Sequence, residues 1–392
     1  MDRKNNWTPV LRALSYFLVA VLAAASASFV ILRNLDANQP KLVELENVIK
    51  EKFIGEVDAA AIEDAAATAM VDALGNRWSY YIPASAYSAH LENQNNRYVG
   101  IGITISARED KTGYDILKVE PNSGAEAAGI QVGDILTHIG QQEVSKISVS
   151  EAKTMIQGTE GSTVALTVLR GAETLHMEAE RKELQVIVAA GQMLDDGIGL
   201  VTITNFNERC AEETIAVIEQ LLEQDVKALI FDVRFNPGGY KEELVDLLDY
   251  LLPEGDLFRS TYYSGKETVD TSDAQCLEMP MAVLINDSSY SAAEFFAAAL
   301  SEYDWAVLVG QATTGKSHFQ NAILLSDGSA VNLSVGEYFT PKGVSLADVG
   351  GLKPDVTVDV DKETYSAIYY DQLSWEDDHQ IKAAVEALKN GN

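Results

Sequence analysis

The sequence predicts an α/β fold that carries an inserted β-rich module, with a helical region ahead of both and a membrane-spanning segment at the start. Three observations lead there. Residues 184–362 alternate short apolar runs with amphipathic helix patterns, the pattern of an α/β layer structure. Residues 97–183 read as strands broken by Gly and Pro turns, with one helix. Residues 13–32 form an uncharged, mostly apolar run of spanning length behind Arg3, Lys4 and Arg12.

Taken in order, the expected divisions are 1–35, 36–96, 97–183, 184–362 and 363–392. The basic flank of the first division predicts a cytoplasmic N-terminus and an extracytoplasmic remainder. Ala25-Ser26-Ala27 resembles a signal-peptidase site, but apolar residues continue through Leu32, which favours an uncleaved single-pass anchor. In residues 36–95, Leu42, Leu45, Val48, Ile49 and Phe53 recur at helix spacing. An Ala-rich helix is expected over 59–74 and a loop over 76–83. Such amphipathic helices pack on their own domain or pair between subunits, so this region is the expected site of a homodimer.

In the β-rich module, strands are expected over 114–119 and 164–170 and a helix over 150–156. The α/β division predicts strands over 198–204, 227–234 and 305–309, helices over 211–223 and 242–252, and a hairpin of 321–325 with 330–333. A terminal helix is expected over 377–389.

Composition limits the function. The sequence holds 29 Lys and Arg against 59 Asp and Glu, a formal charge of −30. Such a surface disfavours nucleic acid, whose phosphates demand cations. Cys210 and Cys276 form no disulfide framework; one bridge and two buried thiols are both compatible with them, and two thiols is the preferred reading. No zinc-type histidine spacing occurs, and neither a metal nor a cofactor is expected.

The candidate chemistry lies in residues 280–320. Ser291 opens a helix just after one apolar strand, and Lys316 sits in a Gly-bounded loop just after the next. In an open sheet, sites form at the carboxyl ends of strands, which would set the two face to face. Serine needs a base. A lysine serves if it is neutral, which requires a fall from about 10.4 to about 7–8, roughly 3–4 kcal/mol, and burial supplies such a fall. Neighbouring carboxylates would oppose it; in the sequence Asp304 and Asp327 are the nearest. The N–H of Ala292, at the helix N-terminus, can donate to a developing oxyanion, and the turn Asn236-Pro-Gly238-Gly239 offers a second donor.

Blander readings exist for each residue. Ser291-Ala-Ala-Glu294 is also a capping box, and Lys316 is also an ordinary loop lysine. Gly310-Gln-Ala-Thr-Thr-Gly315-Lys316-Ser317 matches the P-loop pattern, but a P-loop must open a helix, and the residues that follow alternate like a strand.

Two resemblances cover most of the chain. Tyr98-Val-Gly100-Ile101-Gly102-Ile103, Ser123-Gly-Ala-Glu-Ala-Ala-Gly129-Ile130 and Val132-Gly-Asp134-Ile-Leu136 make residues 97–183 similar to a PDZ domain. Gly100, Ile101, Gly102 and Ile103 are then the loop expected to receive a peptide's terminal carboxylate, with the following strand open to β-augmentation. The bland reading is that these glycines only make a tight turn. From residue 42 to about 360 the chain resembles the carboxyl-terminal processing proteases, peptidase family S41. Val233-Arg-Phe235-Asn236-Pro-Gly-Gly239, Ile285-Asn-Asp-Ser-Ser289-Tyr290-Ser291-Ala-Ala-Glu294, Gly315-Lys316-Ser-His-Phe-Gln320 and Tyr338-Phe-Thr340-Pro341 carry the likeness. Phe235 stands where the family motif has a polar residue, and Tyr290, Ala293, Ser317 and His318 also depart from it.

That resemblance implies a core like crotonase and ClpP, Ser291 as nucleophile, Lys316 as general base and Gln320 as the residue supporting the lysine. It implies polypeptide substrates with accessible C-terminal tails that the PDZ domain recognises and by which it gates activity, with a regulatory protein as a further expected partner. A catalytically silent PDZ scaffold and crotonase-like acyl chemistry are the competing readings.

Overall fold

The structure is a computed structural model that describes residues 41–391. The apolar run expected to span a membrane lies outside them. Among the described residues no helix is long and apolar enough to cross a membrane.

The chain divides into two units near residue 69. The first contains helix α1 (Lys41–Lys52), and helix α2 (Ala59–Asp72) begins in it. The helix spacing read from the sequence is present, yet α1 buries none of its residues: Leu45 is 52% and Val48 50% exposed.

The second unit begins with a correction. Residues 76–83, expected as a loop, contain strand β1 (Tyr80–Ile82), followed by helix α3 (Ala84–Gln94). The strand forms because a partner far along the chain supplies its ladder: Tyr80 pairs with Asn332 and Ile82 with Ala330. No local pattern encodes such a partner.

The PDZ-like segment enters through β2 (Arg97–Gly100) and leaves through β8 (Lys182–Gln185). These two pair antiparallel as a stalk, Arg97 opposite Gln185. Between them, β3 (Ile103–Ala107), β4 (Tyr114–Val119), β5 (Ile135–Ile139), β6 (Thr163–Arg170) and β7 (Glu173–Glu180) form a sheet in that order, with helix α4 (Val149–Ile156) packed against it. Ile101, Ile116, Leu136 and Val168 fill its own core. β3 lies at one edge of the sheet and β7 at the other.

The α/β core carries a six-stranded sheet in the order β9 (Ala189–Met193), β10 (Ile198–Ile203), β11 (Ala228–Asp232), β14 (Met281–Ile285), β15 (Ala306–Gly310) and β18 (Val356–Thr357). All neighbours are parallel except β9 with β10. β11 and β14 are buried at every position, which is why they read as unbroken apolar runs. Helices α5 (Cys210–Leu222), α6 (Lys241–Leu251) and α7 (Ala292–Glu302) supply much of the main core beside them. Residues 292–300 of α7 are all buried, so its apolar residues point every way.

A second sheet was legible in the sequence only in part. β12 (Gly255–Tyr262) and β13 (Glu267–Ser272) form a hairpin whose β12 pairs with β17 (Ala330–Phe339); β17 also holds β1 and β16 (His318–Leu324). The expected hairpin of 321–325 with 330–333 exists but runs several residues further at both ends. Its extension rests on pairing with β12, a partner the local alternation does not show. Cys210 and Cys276 are both free thiols.

Helices α8 (Lys362–Tyr369) and α9 (His379–Asn390) close the chain. α9 is tied to the core by charge as well as by packing. Arg234, just beyond β11, is 8% exposed and bonds Asp232, Asp378 (2.8 Å) and the Gln380 amide oxygen (2.9 Å). This buried cluster fixes the start of the turn at 235–239.

Candidate active site

Three loops leave adjacent parallel strands at their carboxyl ends: residues 233–239 after β11, 286–291 after β14 and 311–317 after β15. They converge on one cleft of about 470 Å³ whose lining includes Gly238, Gly239, Tyr290, Ser291, Lys316 and Gln320. Of the residues singled out in the sequence for chemistry, Gly238, Gly239, Ser291, Lys316 and Gln320 therefore share this lining, while Ala292 and the PDZ loop do not.

Ser291 occupies φ 59°, ψ −127°. A side chain in that region costs about 1–3 kcal/mol and persists only where the surroundings over-determine it. A strand-to-helix turn strained in this way presents its hydroxyl outward. Two neighbours hold it. Tyr290 N–H donates to the Asn236 carbonyl (3.1 Å), and Ser289 Oγ donates to the Val233 carbonyl (2.8 Å). The Asn286 side chain accepts from Phe235 N–H (3.0 Å) and Ser288 N–H (3.1 Å). The first two loops are thus bonded into one piece.

Glu294 does more than the capping box foretold. It is fully buried, and its carboxylate accepts from Ser291 N–H (3.0 Å), Lys316 N–H (2.8 Å), Gly315 N–H (2.7 Å) and Thr313 Oγ1. Burial pushes its carboxyl up, and these donors pull it back. One side chain so joins the Ser291 turn to the Lys316 loop. Glu294→Gln keeps the shape but turns an NH₂ towards donors. We expect cleavage to fall by about 10–100-fold, about 1.4–2.8 kcal/mol, read in kcat. Unchanged kcat would show that the carboxylate is mere packing.

Lys316 lies with Nζ 4.5 Å from the centroid of the Trp78 ring and 5.6 Å from that of Tyr290. Burial lowers it to about 8, against the opposing charge of Glu294 and with help from Arg77. Here the sequence misled: the carboxylate acting on Lys316 is Glu294, not the sequence neighbours Asp304 or Asp327. Burial still outweighs it. Trp78 and Arg77 went unrecognised, because they reach the cleft only through β1 on β17; no signal in the sequence marked them.

Gln320 lines the same cleft, but its amide NH₂ donates to the His318 carbonyl (2.7 Å) and Ser334 Oγ (3.1 Å) rather than to Lys316. In the glycine turn, Gly238 N–H donates to Asn236 Oδ1 (2.8 Å). It is committed inside its own turn. Gly238 has φ +84°, and an added Cβ would lie 2.8 Å from both Ala292 N and Ser291 Cβ, so only glycine lets this turn approach Ser291. After Ser317 the chain enters β16, not a helix, which removes the P-loop reading. In the PDZ loop, Ile101 O accepts from Ala125 N–H (2.8 Å) and Gly102 O from Glu120 N–H (2.9 Å). Gly102 has φ +79°, and an added Cβ would lie 2.4 Å from Ser123 Cβ, so this glycine is required sterically as well.

The profile of peptidase family S41 matches residues 197–358, and that of the PDZ domain matches residues 90–169. The carboxy-terminal processing protease CtpA of Bacillus subtilis is 31% identical over 90% of this chain and 75% of its own length. The chain belongs to peptidase family S41. A probable CtpA-like serine protease of Staphylococcus aureus is 27% identical over 83% of this chain and 66% of that protein. A putative S41 protease from Bacteroides fragilis superposes with a TM-score of 0.59 at 17% identity, over 83% of this chain and 90% of that one; this likeness speaks for the fold. The S41 membership makes the chain a serine-type peptidase of the C-terminal processing kind, with a PDZ domain.

Proposed function

We propose that Ser291 and Lys316 form the catalytic dyad of an endopeptidase that cuts polypeptides near their C-termini. The observation that carries this is their shared cleft: Ser291 on a strained strand-to-helix turn, and in the same lining a lysine that burial lowers to about 8. The neutral Lys316 amine takes the proton of Ser291 Oγ as that oxygen attacks the scissile carbonyl carbon. Ala292 and Gly239 N–H receive the oxyanion. The ammonium then protonates the leaving amine as the C–N bond breaks. Water, deprotonated by the same lysine, releases the acyl group. Gln320 orients the lysine through its amide oxygen, its NH₂ being held by His318 and Ser334.

Only the neutral lysine works, so kcat/KM should rise with pH and reach half its plateau near pH 8. A profile flat from pH 6 to 9 would remove Lys316 as base. In Glu294→Gln the acid limb should move to lower pH, because the charge that raises Lys316 is gone.

The PDZ loop at Gly100, Ile101, Gly102 and Ile103 receives the substrate's terminal carboxylate, and the free edge of β3 pairs with the tail; the edge position supports this. Occupancy of this domain gates the cleft. Amidating a substrate's C-terminus tests both, since unaltered cleavage would rule out carboxylate capture. Residues 13–32 anchor the protein once in the cell membrane, with the peptidase outside the cytoplasm; protease digestion of intact cells that spares residues 70–392 would refute this. The exposed apolar residues of α1 support a homodimer; light scattering that returns a monomer mass would refute it.

A further inference from the structure

Beside the cleft lies a second pocket, of about 310 Å³, near the lower end of the roughly 300–1,000 Å³ range of ligand sites. Its walls are Phe235, Pro237, Tyr290, Tyr365, Tyr369 and Tyr370, with Ser288 and Ser366 at its edge. Pro237 and Tyr290 also line the cleft that holds Ser291. Tyr290 directly precedes that serine, and Pro237 directly precedes Gly238. The two spaces are therefore adjacent, with these two residues shared between them.

The pocket is built rather than incidental. Phe235 has φ 61°, a conformation that a bulky side chain rarely adopts and that the surroundings must enforce. Its N–H is pinned by Asn286 Oδ1 (3.0 Å). Its ring meets Tyr365 and Tyr369 edge to face, at centroid distances of 4.7 and 5.2 Å. Tyr365 is fixed in turn: its hydroxyl donates to Asp287 Oδ1 (2.8 Å) and lies 2.8 Å from Ser288 Oγ. Tyr365, Tyr369 and Tyr370 come from α8 and the residue after it, beyond the segment that matches the S41 profile. Phe235 departs from the family motif.

We propose that this pocket is a side-chain subsite that selects an aromatic or large apolar residue of the substrate close to the scissile bond. It rests on the peptidase reading above and deepens it. Aromatic walls offer area and edge-to-face contacts at small conformational cost, and the shared residues put any occupant within reach of the peptide bond at Ser291.

The test uses the full chain and a series of unstructured polypeptides that differ only by Phe or Ala at successive positions around the cut. One position should favour Phe by at least about tenfold in kcat/KM. In Tyr369→Ala, which opens the pocket, and Ser366→Phe, which fills it, that ratio should approach one. Taken within a single variant, the ratio cancels any general loss of activity. In Ser291→Ala, the polypeptide carrying benzoylphenylalanine at that position should cross-link to residues 362–370. A ratio unchanged in both variants, or cross-links confined elsewhere, would overturn the proposal while the loss of cleavage in Ser291→Ala still upheld the dyad. If the wild type cleaves none of the series, the peptidase reading fails and the cross-link map alone decides the pocket.

Discussion

Replacing Ser291 by Ala should lower cleavage of an unstructured polypeptide with an apolar C-terminal tail by about 10⁴-fold or more, and Lys316→Met should do the same. Members of a nucleophile–base pair act as a unit, so either loss removes the whole covalent route, and the double variant should be no worse than the worse single one. Lys316→Arg should also be inactive, since a guanidinium stays charged at any working pH. The stability of Lys316→Met separates lost chemistry from unfolding. The folded chain holds this lysine at about 8, below its usual 10.5. The unfolded chain therefore binds its proton more readily, and the native state bears a cost of about 3 kcal/mol below pH 8 that fades as pH rises towards 10.5. Lys316→Met should accordingly raise the urea midpoint at neutral pH while abolishing cleavage. Unaltered cleavage in Ser291→Ala would place the chemistry elsewhere and leave the silent-scaffold reading for this cleft.

The second large effect concerns Arg234→Ala, which should cost about 3–5 kcal/mol of stability, because it strands Asp232 and Asp378 in the interior without their cation. Those carboxylates are 9% and 3% exposed. The same change frees the start of the turn that carries Asn236 and Gly239, so kcat should fall even at temperatures where the variant is folded. Arg234→Met with Asp232→Asn and Asp378→Asn should recover much of the loss, since a buried ion cluster replaced whole is often close to neutral. Urea unfolding of the three proteins decides this. A loss below about 1 kcal/mol in Arg234→Ala would mean that water reaches the cluster and screens it.

Much of the α/β core could be read directly. β11 and β14 are continuous apolar runs because both faces of a central parallel strand are covered, and the Gly and Asn-Pro-Gly-Gly punctuation after them marks the loops that carry the site. Ser291 and Lys316 were legible because each sits just past such a strand. The β12–β13 hairpin and β1 were not: β1 and β12 take their place in the sheet by pairing with β17, remote in sequence, and β13 joins it only through β12. Glu294 was legible as a cap and illegible as the acceptor that joins two loops. Periodicity reports a residue's own helix and says nothing about donors arriving from a strand further along.

The sequence alone determined which residue types stand at the ends of which strands, and with them the positions of Ser291, Lys316 and the glycine turn, because those follow from local pattern. Only the tertiary structure decided how they act together. Trp78 and Tyr290 come to lie around Lys316, and Glu294 opposes the burial that lowers it. Gly238 gives up its N–H within its own turn. Phe235 and Tyr365 meet across a pocket. Burial, hydrogen-bond competition and ring contact depend on distances between groups remote along the chain, and the fold alone sets those distances.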